Sequence, residues 1–196
     1  MVKRTSLTVS ILFYILFISM QICSAATPQR VAILPVSFTH SHRDVEVETV
    51  IAKALSNKFH TPLAKIVPIF DIIPANEIDA AMLDEATGKN FKLNKTLFQN
   101  ISEKTNADIV IGAEVTQLWS ILLRTWDGEV IQRTELSIKI LCYHKASGKF
   151  TEQKDYDSYS GHESLWGQPD YMADQMMYKL LNKIPDYSGL TAKQNN

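Results

Sequence analysis

His40 and His42 flank a single serine, with Asp44 two residues further on. Two imidazoles and a carboxylate can hold zinc and leave one position open for water. Asp71, near the end of a second apolar run, is the residue that could converge on the same place. Ligand sites in open α/β sheets favour the carboxyl ends of parallel strands, and this loop follows the first strand of the chain. The ordinary alternative is a pair of histidines in a polar loop beside a helix cap. No H-E-x-x-H and no downstream C-x-x-C fixes a further ligand. A second pairing, Cys142 with His144, lies on one face of the alternating run Leu136, Ile138, Ile140, Cys142. A catalytic thiolate needs an electropositive, partly open setting, and an inward strand position makes Cys142 a small hydrophobe instead. The sequence contains no G-x-S-x-G, no G-x-G-x-x-G and no Walker pattern, so neither a hydrolase elbow nor a phosphate cradle is read. No cofactor and no nucleotide is expected.

The elements that would carry these residues follow from periodicity. Arg30 to Phe38 is an almost continuous apolar run, as in a strand covered on both faces. Ser41 and Asp44 stand at capping spacing before Val47, Ile51, Ala54, Leu55 and Phe59, which recur at helical intervals. Ile66 to Ile73 is a second strand, with Pro68 at its edge or beginning. Asn76 can cap a short helix through Ile78, Ala81 and Met82. Leu93, Leu97 and Ile101 mark another, ended by Asn106 in a left-handed turn. Asn94-Lys95-Thr96 and Asn100-Ile101-Ser102 match the glycosylation sequon, but both fall inside that helix.

Asp108 to Val115 is the third strand, so the order to this point is β-α-β-α-α-β with parallel pairing. Asp127-Gly128 then signals a two-residue hairpin, and Ser147-Gly148 a second turn. With Trp126 paired to Glu129, Val115 meets Ile140, Trp119 meets Leu136 and Ile121 meets Thr134. Phe150 to Tyr159 is rich in Lys, Asp and Glu, as a protected edge should be. Pro169 opens a last helix carrying Met172, Met176, Leu180 and Ile184. The fold class is α/β, leaning to α+β: a single-layer mixed sheet, parallel in its βαβαβ half, then an antiparallel meander and a C-terminal helix.

Lys3 and Arg4 precede an apolar run from Leu7 to Ile22, and Cys23-Ser24-Ala25-Ala26 supplies small residues at cleavage spacing. This is the layout of a signal peptide, and the chain is expected to be exported, periplasmic or secreted. The expected organisation is a signal peptide over residues 1–26, one α/β domain over 27–187 and a disordered tail over 188–196. Met20-Gln21-Ile22 is not a lipid-attachment box, so Cys23 reads as part of the discarded leader, and membrane association stays open. Cys142 is then the one remaining thiol, and no internal bridge can staple the fold. A formal net charge of −1 offers no attraction to nucleic acid or another polyanion.

Val31-Ala32-Ile33-Leu34-Pro35-Val36 at the first strand, and Asn106 to Val115 preceded by a helix and followed by a hairpin, carry a family likeness. Over residues 30–184 the chain resembles the periplasmic α/β domain of the TolB N-terminal part, the CsgG secretion subunit and the LpoB-type activators. The resemblance implies an envelope protein without catalysis, working through protein–protein contact.

The remaining candidates concern recognition. Strands of Asp108–Trp126 and Glu129–Lys145 would be far longer than the usual five or six residues. Such a pair must bend around the domain or project beyond it. Projection would expose Trp119, Ile121, Leu123 and Leu136, which a partner or sibling subunit should cover. Tyr159 and Trp166 sit in a Gly-punctuated segment that either docks over the sheet edge or forms a recognition surface. The expected function is a non-enzymatic envelope module that binds an envelope protein or assembles with itself. The alternatives are a metal-dependent hydrolase on His40, His42 and Asp71, and an oligomeric secretion or pore scaffold built on the hairpin.

Overall fold

A computed structural model describes residues 28–39, 42–60, 69–83 and 92–185. Strands β1 (Gln29–Ile33) and β2 (Ser37–Phe38) lead into α1 (Val45–His60), then β3 (Phe70–Ile72), α2 (Ala75–Leu83) and α3 (Lys95–Lys104). A three-stranded meander of β4 (Ile109–Arg124), β5 (Val130–His144) and β6 (Lys149–His162) follows, and α4 (Pro169–Lys183) closes the fold. The strands form one mixed sheet in the order β3-β1-β4-β5-β6, with β2 continuing beside β4 after β1. Pairing is parallel from β3 to β4 and antiparallel from β4 to β6.

Helices cover both faces. The chain steps from β1 to β3 through α1 and back past β1 to β4 through α2 and α3. Right-handed crossovers that travel in opposite directions place their helices on opposite faces. Accordingly α1 and α4 pack on Ile109, Ile111, Ala113, Val115, Ile138 and Ile140, whereas Phe98, Ile101 and Ile78 pack on Val110 and Leu141. Asp44 caps α1, its Oδ1 accepting the N–H groups of Glu46 and Val47 at 3.0 Å. Ser41, the other half of the expected box, lies outside the described residues. Asn94 caps α3 by accepting from Leu97 N–H at 2.9 Å, so the first sequon asparagine lies just outside the helix. Asn76 does not cap α2, which already begins at Ala75. Asn106 takes the left-handed conformation expected of it, with φ of 50°.

The hairpin register differs from expectation in two steps. Its loop has three residues, Trp126-Asp127-Gly128: Thr125 N–H donates to Glu129 O at 2.8 Å and Gly128 N–H to Thr125 O at 3.0 Å. Gly128, at φ 91°, supplies the left-handed residue that a three-residue loop needs. The extra residue sets Trp119 opposite Glu135, Ile121 opposite Arg133 and Leu118 opposite Leu136. A slip of one exchanges the faces of a strand, so Trp119 and Ile121 do not share a face with Leu136. A bulge between Val115 and Gln117 adds the second step and brings Val115 opposite Ile138. Below it the odd residues of β4 face α1 and α4; above it they face the other way.

Candidate functional site: the projecting sheet

β2 accompanies β4 only as far as Val115, so the upper half of β4 pairs with β5 alone. Above the bulge the molecule is a three-stranded antiparallel sheet standing beyond the parallel half. Its two faces are treated differently.

One face is covered over β5 and β6, while Leu122 of β4 on the same side stays 54% exposed. The turn Leu165–Gly167 and the start of α4 lie across it. Gln132 Nε2 and Thr134 Oγ1 both donate to Gly167 O, at 2.7 and 2.6 Å. Gln132 Oε1 accepts Ser164 N–H at 3.2 Å, and Tyr159 OH donates to His162 O at 2.7 Å. Every polar group in this small network is matched, which makes the docking specific. Gly167 comes so close to the sheet that a Cβ there would stand 2.4 Å from Tyr159 Cδ1 and 2.6 Å from Gln132 Oε1. Gly167→Ala is therefore expected to lower stability by about 1–3 kcal/mol, as overpacking does. Urea titration followed by tryptophan fluorescence measures it, and an unchanged midpoint would show that the turn is loosely held.

The other face is bare. Trp119, Ile121 and Leu123 keep 46, 38 and 36% of their surface exposed, and Trp126 at the tip is fully exposed. Cross-strand from them stand Glu135, Arg133 and Ile131 on β5, and Gln117 Nε2 donates to Glu135 Oε2 at 2.6 Å. At the foot of this face Glu114 pairs with Lys139 directly across the β4–β5 ladder. The Glu114 carboxylate is buried, and it also accepts the Thr39 hydroxyl. The pair divides the apolar layer under α2 and α3 from the uncovered residues above. At the tip, the Thr125 hydroxyl donates to Asp127 and holds its carboxyl below the ordinary aspartate value.

The residues singled out from sequence fall in different places. Trp119, Ile121 and Leu123 form the bare face, but Leu136 is fully buried in the core under α1 and α4. Tyr159 is half-buried in the covered network, and Trp166 is 65% exposed with its ring edge-on to Tyr171, centroids 5.0 Å apart. His42 is exposed ahead of α1, and His40 lies outside the described residues. Asp71 is not brought to that loop. It stands beside Arg30 at the start of β1, with Nε–Oδ2 at 3.8 Å. Arg30 is level with Asp108 and Phe38 with Val115, which separates the two places by about 20 Å along the strands at ~3.3 Å per residue. Among the described residues no group of three His, Cys, Asp or Glu is placed to hold a metal ion. Cys142 is buried in the core under α1 and α4, and His144 Nδ1 is 2.8 Å from Ser147 Oγ. Glu114–Lys139 was not legible beforehand; its one signal is an acidic residue inside the apolar run Ile109–Val115.

No family model matches this sequence, and no curated protein matches it. Among solved structures, the chain is similar to lipoprotein GNA1162 from Neisseria meningitidis at 14% identity, covering 79% of this chain and 99% of that one, with a TM-score of 0.46. A PelC dodecamer subunit from Paraburkholderia phytofirmans shows 14% identity over 79% of this chain and 85% of that one, with a TM-score of 0.41. The LpoB C-terminal domain from Escherichia coli shows 12% identity over 72% and 86% of the two chains, with a TM-score of 0.38. None of these similarities assigns the chain to a family.

Proposed function

We propose that this chain is an exported, non-enzymatic envelope protein that works by binding protein, and that its working surface is the bare face of the projecting sheet. The observation that carries the reading is the exposure of Trp119, Ile121, Leu123 and Trp126 on one side and at the tip of a sheet whose opposite side is anchored by a satisfied polar network. A sheet fixed on one face and left apolar on the other presents large, rigid side chains at little entropic cost. Aromatic anchors of this kind dominate binding energy where proteins meet. Arg133 and Glu135 between them supply the polar contacts that orient a partner. The leader with Lys3, Arg4 and the run Leu7–Ile22 supports export. No helix among the described residues is long and apolar enough to cross a membrane.

The test is capture from envelope extract by the purified protein, compared with Trp119→Ser and Trp126→Ser. Wild type is expected to retain a defined envelope protein, and each variant to retain at least about tenfold less, the scale of one interface hot spot. Melting temperatures should be unchanged. Equal capture by both variants would remove the bare face from the function, and recovery of the protein from the cytosol with its leader intact would remove the envelope.

A further inference from the structure

The two outer strands of the projecting sheet are built differently. β6 gathers Lys149, Glu152, Lys154 and Asp155 in its lower part, and in the projecting part it runs Tyr156-Asp157-Ser158-Tyr159-Ser160-Gly161-His162, a largely polar stretch with a strand-weakening glycine. The upper part of β4, Gln117-Leu118-Trp119-Ser120-Ile121-Leu122-Leu123-Arg124, has one charge, no proline and no bulge within it. Among the described residues no strand pairs with this side of β4 beyond Val115. A long, apolar, unguarded edge is what natural sheets ordinarily avoid.

The backbone directions follow from the hairpin. Thr125 N–H donates to Glu129 O, so this pair exchanges hydrogen bonds. In an antiparallel ladder exchanging and non-exchanging pairs alternate. Leu123, Ile121 and Trp119 therefore turn their N–H and C=O towards β5. Leu118, Ser120, Leu122 and Arg124 turn theirs to the open side. Four residues in a row thus offer both a donor and an acceptor to an incoming strand.

We infer that this edge takes the same edge of a second copy, antiparallel, about a two-fold axis normal to the sheet at Ile121. Sheet faces are conserved by such an axis, so only registers that pair like faces are open to it. Centred on Ile121, the pairing sets Ile121 against Ile121 of the partner subunit and Trp119 against Leu123 of the partner subunit as non-exchanging pairs. Ser120 with Leu122, and Leu118 with Arg124, become the exchanging pairs. On the bare face apolar side chains meet apolar ones; on the other face Ser120 meets Leu122 and Leu118 meets Arg124, so the two Arg124 side chains do not oppose each other. The corresponding stretch of β6, Tyr156–His162, would instead offer Leu118, Ile121 and Leu122 serines, a glycine and Asp157. One strand pair covers less than the ~800 Å² per partner of a standard stable complex. The dimer therefore belongs to the weak, concentration-dependent class.

The inference deepens the binding reading and rests on it only for the availability of this sheet. Self-association can fail while capture of an envelope protein persists, and the reverse. The experiment is sedimentation of the exported protein up to about 100 µM, the range in which weak interfaces populate, with four variants. Wild type is expected to pass from monomer to dimer. Leu122→Pro removes a donor that faces the open side and leaves the β5 ladder intact, so it should stay monomeric with an unchanged melting temperature. Ile121→Lys, which sets two ammonium groups on the axis, should also stay monomeric and serves if the proline variant does not fold. Ile121→Cys should form an inter-chain disulfide on mild oxidation, because non-exchanging Cα atoms ~4.5 Å apart suit the bond. Leu123→Cys, at nearly the same exposure, should cross-link at least about tenfold less, since the register places it opposite Trp119. The exported wild-type protein, whose Cys142 is buried, sets the baseline. A monomer throughout, equal cross-linking at 121 and 123, or a dimer that survives Leu122→Pro and Ile121→Lys would each overturn the inference.

Discussion

Lys139→Met is expected to lower the free energy of unfolding by about 3–5 kcal/mol, the scale for a buried charge stripped of its partner. The Glu114 side chain is only 2% exposed, and Lys139 is 15% exposed. The substitution leaves a carboxylate inside the protein with the Thr39 hydroxyl as its remaining partner. Water cannot reach it, so the lost attraction is not replaced. Adding Glu114→Gln should return most of the loss, because a neutral amide of the same shape needs no counter-ion. The double variant should come within about 1–2 kcal/mol of wild type, since exchanging a whole buried pair for neutral groups is often close to neutral. Urea titration of wild type and the three variants gives the coupling directly. A loss below about 1 kcal/mol for Lys139→Met would mean that the pair behaves as a solvated surface bridge. Glu152, 4.0 Å from Lys139, is half exposed and does not substitute for Glu114.

Phe98→Ala is the second large effect, at about 3–5 kcal/mol for a buried phenylalanine. Phe98 is fully buried between α3 and the sheet, its ring edge-on to Phe150 with centroids 5.5 Å apart. Gly112 is the neighbour that makes room for it: a Cβ there would lie 3.3 Å from Phe98 Cζ and 3.3 Å from Leu34 Cβ. Leu34, Leu93 and Leu97 share the buried cluster with the ring, and a close-packed site of this kind relaxes only in part when the ring is removed. For a domain of this size the loss corresponds to a fall in Tm of about 10 °C. Gly112→Ala on its own should destabilise by crowding the ring, and in the Phe98→Ala background the same methyl should be tolerated. A thermal-melt cycle over the four proteins measures this, and strict additivity would show that the two sites do not share space.

The bare face shows how a correct local reading produced a wrong global one. Val115, Gln117, Trp119 and Ile121 alternate without interruption in the sequence, and alternation implies one continuous face. The bulge beside Thr116 breaks that implication, since a single extra residue exchanges faces for everything beyond it. Thr116 gives no local sign of it; its hydroxyl donates to Ser137 Oγ at 2.9 Å, a contact made only across the ladder. The loop length is ambiguous in the sequence for a related reason. Asp-Gly is equally compatible with two-residue and three-residue turns, and the choice falls to the twist of the strands they join. The buried Glu114 escaped because a lone acidic residue in an apolar run says nothing of a lysine twenty-five positions away. The distance from Asp71 to the histidine loop depended on strand order, which periodicity does not encode.

What the chain carries in one dimension is strand and helix identity, because apolar spacing responds to local backbone geometry alone. The capped helix α1, the long hairpin, the charged edge strand and the Pro169 helix were all legible in that way, whereas the apolar run Arg30–Phe38 is two strands, Gln29–Ile33 and Ser37–Phe38. So was the inward place of Cys142. Which side of the meander lies open, and which outer strand lacks a neighbour, emerged only on folding. Both depend on pairing between residues far apart in the chain, where one bulge and one loop residue set the parity of every contact above them.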